Sequence, residues 1–257
     1  MKRIILSALI IVSMLSCRKT TESTISENAL EVTESNMAII GKRTATWCNP
    51  CGDWGFPQFQ SLKDVWGKDD VVYMAWKDAF KTNKGSELFD EVGPTFNLGG
   101  GVPTFFYNFI ANAPDSVLTQ HIDKDYVVAN SNYEMEINGD NIKLRTTTKF
   151  FNDIDGEYYL APYLIVDNLV GYQNGNPDGN FTIHKNYVAG IATPITVGVT
   201  RNFGYQITTT GASRGMVINL DFEIDRDVTW KQRDISFALI IFKKESWGLQ
   251  FINAFTK

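Results

Sequence analysis

The sequence predicts an α/β domain followed by an all-β sandwich domain. Up to about residue 124, short apolar runs alternate with segments of helical spacing. From residue 125 the pattern changes to period-two alternation, broken by Asn/Asp/Gly-rich turns. The 257 residues are 44% hydrophobic and 21% charged, enough for two such cores.

The first segment to justify is "MKRIILSALIIVSMLSC". Lys2 and Arg3 form a positive start, and Ile4 to Leu15 form an apolar stretch too short to cross a bilayer. Ser16 then precedes Cys17, which resembles the bacterial lipoprotein box, with Met14 where Leu is usual. The resemblance implies a signal peptide over 1–16, lipidation of Cys17 and a membrane held through that lipid. Without Lys2 and Arg3 the net charge moves from −5 to −7, which offers no electrostatic footprint for nucleic acid. Residues 18–36, rich in Ser, Thr and Glu and free of aromatics, read as a flexible tether reaching roughly 25 Å.

The α/β domain is expected over 37–124. Met37 to Thr46 reads as a strand, "PQFQSLKDVWG" as a helix stopped by Gly67, and Asp70 to Trp76 as a strand buried on both faces. Ser86 to Val92 reads as a short helix capped by Ser86, and Thr104 to Ile110 as a further strand. Between the first strand and helix lies "TATWCNPCGDWG", with Cys48 and Cys51. A cysteine at a helix start meets unpaired N–H groups and the positive end of the dipole, which favours thiolate. Cys48 is therefore expected to be the exposed nucleophile and Cys51, one turn inward, the resolving thiol. Trp47, Trp54 and Phe56 are candidates for an apolar rim, and the backbone at Val102 and Pro103 for pairing with an extended polypeptide.

Trp-Cys-x-x-Cys after a first strand and Val-Pro-Thr opening a later one resemble the thioredoxin superfamily, with 51 residues from Cys51 to Val102. The resemblance implies a thioredoxin-like domain, a cis Val102–Pro103 peptide beside the cysteines, and protein thiols or disulfides as partners. Two departures stand out. Lys42 occupies the place, six residues before Cys48, where thioredoxins carry a buried acid. The glycines of "GDWGF" are expected to break the helix, and the helix proline, Pro57, is displaced by one position. Other uses of the pair are weaker. As a staple, so short a loop stabilises by only about 2 kcal/mol. As a zinc site it lacks two ligands, since His121 and His184 stand apart and alone, so no metal or other cofactor is expected.

The second domain, 125–257, is expected to hold about seven strands. In "NIKLRTTTKFF" Ile142, Leu144, Thr146, Thr148 and Phe150 alternate with Lys143, Arg145, Thr147 and Lys149. "NGNPDG", 174–179, places oxygen side chains at alternate positions, but position one is Asn rather than Asp and Lys185 stands where a calcium loop carries its bidentate Glu, so it reads as a plain surface loop. The signal, the cysteine pair, "APYLIVDNLVGYQNG" and "FALIIFKKESWGLQFINAFTK" together resemble the twenty-eight-kilodalton outer-membrane-protein family of Gram-negative bacteria. That implies an envelope lipoprotein of the outer membrane. Two functions remain open. One is a thiol–disulfide oxidoreductase using Cys48, Cys51 and Pro103. The other is a binding lipoprotein in which the disulfide is inert and the sandwich engages a partner.

Overall fold

The computed structural model describes residues 29–196 and 201–257. The expected signal peptide and Cys17 lie outside the described residues. The chain is mostly β-strand, with three α-helices among the described residues. It runs β1 (Ala38–Ala45), α1 (Phe56–Trp66), β2 (Val71–Asp78), α2 (Asn83–Thr95), β3 (Thr104–Tyr107), β4 (Ile110–Ala111) and α3 (Ser116–Ile122). Strands follow: β5 (Ala129–Asn138), β6 (Asn141–Phe150), β7 (Ile154–Asp155), β8 (Tyr158–Val166), β9 (Leu169–Tyr172), β10 (Phe181–His184) and β11 (Tyr187–Ile191). The last are β12 (Thr193–Pro194), β13 (Tyr205–Thr208), β14 (Gly211–Ala212), β15 (Val217–Asp225), β16 (Ile235–Glu245) and β17 (Gly248–Phe255).

One long sheet carries both halves, in the order β17-β16-β8-β11-β2-β1-β3-β4, with β13 also on β8. The division expected at residue 124 therefore does not part the sheet. The reason is β2 itself. "VVYMAW" is apolar on both faces, so neither its faces nor its free edge can be left to water. β11 closes that edge in parallel, with Tyr187 beside Ala75. At the far end, Asn253 of β17 returns to the chain entering β1. Its Oδ1 accepts the Met37 N–H at 2.9 Å, and its Nδ2 donates to Ser35 O and Ala129 O.

The two faces of the long sheet carry different layers. On one, Ala38, Ile40, Val71 and Tyr73 pack under α1 and α3. Farther along that face, Leu160, Leu164, Phe237 and Leu239 meet Ile142, Leu144, Phe150 and Phe222 of a second sheet, β12-β15-β6-β5. This is the sandwich, and the alternation of β6 sets it, with Ile142, Leu144 and Phe150 buried while Lys143 is exposed. On the opposite face α2 covers Trp76, Tyr163 and Ile240 through Leu88, Phe89 and Val92.

Two local expectations change. The second helix begins at Asn83, with Thr82 rather than Ser86 as its cap, because β11 fixes the Thr82 hydroxyl. Its Oγ1 accepts from Gly85 N–H at 3.0 Å, donates to Ala189 O at 2.7 Å and lies 2.8 Å from the Tyr187 hydroxyl. Leu30 to Asn36, read as the end of a tether, is tied to the small sheet. Leu30 N–H donates to Thr147 Oγ1, Asn130 Nδ2 to Thr33 O, and Val32 packs with Val127 and Phe151.

Candidate functional site

The helix that carries the cysteines is continuous rather than broken. Residues 49–50 are already helical, Cys51–Gly55 form a wider π turn, and Phe56 continues into α1. The π turn absorbs one extra residue, which accounts for the displaced Pro57. Glycine suits it sterically. A side chain at Gly55 would meet Pro103 at 2.9 Å, and one at Gly52 would meet the backbone of Asn174 at 2.1 Å.

Cys48 and Cys51 form a disulfide. Cys51 N–H points at Cys48 Sγ at 3.1 Å, so the first helical turn presents a donor to the sulfur that a thiolate would use. Cys48 Sγ also lies 3.5 Å from Val102 O, and the Val102–Pro103 peptide is cis. Arg43 of β1 holds the approach to this loop by donating to Gly99 O at 2.7 Å. Trp47 is 58% exposed, its Nε1 donating to Asp78 Oδ2, and Trp54 is exposed beside Phe105. Cys48, Cys51, Val102, Pro103, Trp47 and Trp54 thus share one neighbourhood. Phe56 does not lie on that rim. It turns inward, its ring under Lys42 and edge-on to His184.

Cys48 is not the open nucleophile expected, being only 4% exposed. The cover is the loop read as plain surface. Gln173 Nε2 donates to Ala45 O at 3.0 Å and Cys48 O at 3.3 Å. Asn174 donates from its backbone to Thr46 O and from its side chain to Trp47 O. Gly175 sits at φ +79°, where a side chain would meet Asn49 O at 2.2 Å. Gly175→Ala is therefore expected to push this segment off the cysteine turn. It should lower stability by about 1–3 kcal/mol and speed reduction of the disulfide by dithiothreitol. Unchanged reduction kinetics would show that the segment does not limit access.

Behind the helix lies a second group of polar side chains. Lys42 and Lys77 are each 3% exposed. Lys42 Nζ approaches Gly55 O at 3.5 Å and lies 4.6 Å from the centre of the Phe59 ring. Burial and then the Lys63 charge bring its pKa down to about 7. Lys77 Nζ donates to Gln173 Oε1 at 2.9 Å and to His184 Nδ1 at 2.7 Å, and burial holds its pKa well below the usual lysine value. His184 Nε2 then faces Gly171 O at 3.3 Å as donor. Sequence reading missed Lys77 and the Gln173–His184 pair. The one signal was a lysine ending an otherwise apolar buried strand.

The overall arrangement is similar to HBP35 of Porphyromonas gingivalis. The TM-score is 0.66, with 17% identity over 88% of this chain and 76% of that one. At that identity the likeness speaks for the fold alone. A domain of the outer membrane lipoprotein Omp28 from Porphyromonas gingivalis aligns at 9% identity over 52% of this chain and 89% of that one. Its TM-score of 0.27 is too low to carry an argument. No family model and no curated protein matches the chain.

Proposed function

We propose that the protein is a thiol–disulfide oxidoreductase of the bacterial cell envelope, built on a thioredoxin-like α/β unit and acting on protein thiols or disulfides. The observation that carries this reading is the Cys48–Cys51 disulfide at a helix start, with Cys48 Sγ against Val102 O. The β2-β1-β3-β4 order and the exposed Trp47 and Trp54 support it. The signal-like segment before Cys17 supports lipid anchoring, and the outer membrane is the proposed location.

In the reducing direction, the Cys48 thiolate attacks a substrate disulfide. One substrate sulfur leaves as thiolate, and a mixed disulfide joins the other to Cys48. The Cys51 thiolate then attacks Cys48 Sγ, the second substrate sulfur leaves, and the Cys48–Cys51 bond forms. Two electrons have passed to the substrate. The oxidising direction runs the same exchanges in reverse. The Cys51 N–H at Cys48 Sγ stabilises the thiolate, and the Trp47–Trp54 surface together with the Val102–Pro103 backbone holds an extended chain against it. Removing the resolving thiol should trap the intermediate. Cys51→Ser is expected to accumulate mixed disulfides on non-reducing gels, lost when Cys48 is also changed to Ser. No trapped species with reduced or oxidised protein substrates would overturn the reading.

One observation favours a second reading. The cover of Gln173–Asn174–Gly175 over a nearly buried Cys48 suits a disulfide that never opens, with binding left to the sandwich. The reduction potential separates the two. Exchange catalysts fall between about −120 and −270 mV and structural bonds below about −300 mV.

A further inference from the structure

A cavity of about 290 Å³ lies between α1 and the β9–β10 hairpin, behind the cysteine-bearing helix. Its polar lining includes four lysines and a histidine, Lys42 from β1, Lys63 from α1, Lys77 from β2, and His184 and Lys185 from β10 and its end, together with the neutral Gln60, Thr182 and Asn186. No carboxylate lines it. Phe56 and Phe59 complete the lining, their ring centres 5.2 and 4.6 Å from Lys42 Nζ. Lys63 donates to Asn186 Oδ1 at 2.7 Å and also feels Asp64 and Asp167, which lie outside the cavity. Lys77 already has Gln173 and His184 as partners, and it has a further N–H for an anion only in its protonated form. Lys42 has only the 3.5 Å approach to Gly55 O.

We propose that this cavity binds a small oxyanion, a carboxylate or a phosphate, on the amines of Lys42 and Lys77. A buried amine whose only acceptor is one long carbonyl contact, as at Lys42, is costly in its charged form unless something more accepts from it, and an anion beside it would favour the charged form of Lys77 as well. The space is many times the roughly 30 Å³ of one water, so it admits an ion together with its remaining hydration. Lys63 and Lys185 surround it with charge of the same sign, which attracts an anion and repels a cation. Carboxylate and phosphate oxygens both offer the short charged acceptors that ammonium groups take best. The cavity stands apart from the thiol chemistry, and its occupancy does not depend on the cysteines cycling.

Occupancy has a definite pH dependence. An anion favours the protonated form of Lys42, the group with a pKa of about 7 in the unliganded protein. Lys63 and Lys185 line the cavity beside it, burial and the Lys42 charge disfavour the charged form of Lys77, His184 is held neutral, and Asp64 and Asp167 reach the group through Lys63. Acetate, ionised throughout, should therefore bind about tenfold more weakly at pH 8 than at pH 6.

The test is thermal unfolding of the purified protein with inorganic phosphate or acetate, against chloride at matched ionic strength. One or both oxyanions should raise Tm in a saturable way, and the one that does identifies the preferred class. Lys42→Met should abolish the shift. Equal shifts in chloride, or in Lys42→Met, would overturn the proposal, as would no shift with either oxyanion. Should that variant not fold, ¹³C-labelled lysine Cε signals in the wild type give the answer. Acetate should move the resonance titrating near pH 7 to higher pH, and an unmoved titration would equally overturn it.

Discussion

Lowering the pH from 7 to 5 is expected to cost the folded protein about 2 kcal/mol for each of two buried histidines. His184 has its pKa lowered to about 3, by burial first and the Lys77 charge second. His121 has its pKa lowered to about 4, by burial first and Lys124 second. Both are nearly inaccessible in the fold. The unfolded chain binds protons at these sites from about pH 6.5 downward, whereas the folded chain does not until about pH 4 or 3. The imidazole contribution is therefore full above pH 6.5 and drains as the pH falls toward the folded values. Between pH 6.5 and 5 ordinary carboxylates are still ionised, and Lys42, with a pKa of about 7, contributes only the tail of its titration, so the His121→Gln comparison picks out the imidazole share. Urea midpoints at pH 7, 6 and 5 should fall steadily in the wild type and flatten by about half in His121→Gln. A midpoint that stays level across the window would mean the imidazoles reach water. The His184 share has a structural reading as well. Protonating Nδ1 would remove the acceptor that Lys77 uses at 2.7 Å, and so disturb the amine that also holds Gln173, the residue bonded to Cys48 O.

Much of the thiol site was legible in the chain because it is local. A strand running into Trp-Cys-Asn-Pro-Cys and a helix fix the cysteine turn within a dozen residues. Even the one-residue displacement of Pro57 had a physical meaning, since the π turn over Cys51–Gly55 takes up that residue without breaking the helix. What was not legible depends on distant partners. Nothing in "KNYVAGI" says that it will close the edge of a strand more than a hundred residues earlier, because parallel pairing leaves no mark in local alternation. The same pairing moved the cap of α2 to Thr82. "NGNPDG" read as a plain surface loop for a similar reason. Its role comes from Gly175 lying against Asn49 O, and only a close approach seen in three dimensions reveals why that position lacks a side chain. The amines of Lys42 and Lys77 belong to strands two registers apart, and the acceptors of Lys77 come from β10 and the residue after β9.

Lys42→Met is expected to stabilise the protein at pH 7 by about 2–4 kcal/mol. The ammonium pays a desolvation cost that its surroundings do not return. Its single carbonyl approach is long at 3.5 Å, and the Phe59 ring face 4.6 Å away is worth only about 0.5–2 kcal/mol. A pKa brought from 10.5 to about 7 corresponds to about 5 kcal/mol as an upper limit, which local water entry reduces. Methionine fills similar space and leaves no charge behind. The sign of the pH dependence follows from the same numbers. Between pH 7 and 10.5 the unfolded chain holds the proton that the folded chain has released, so wild-type stability rises with pH across that range. The gain from Lys42→Met should therefore be largest at pH 7 and shrink toward pH 10. Lys77, lowered in the same direction, keeps part of the slope in the variant. Chemical denaturation at pH 7, 8.5 and 10 measures both quantities. A variant no more stable than wild type at pH 7 would mean that the amine has found acceptors beyond Gly55 O. A saturating oxyanion in the wild type should close the same gap from the other side, by giving the ammonium the counter-charge that the fold withholds.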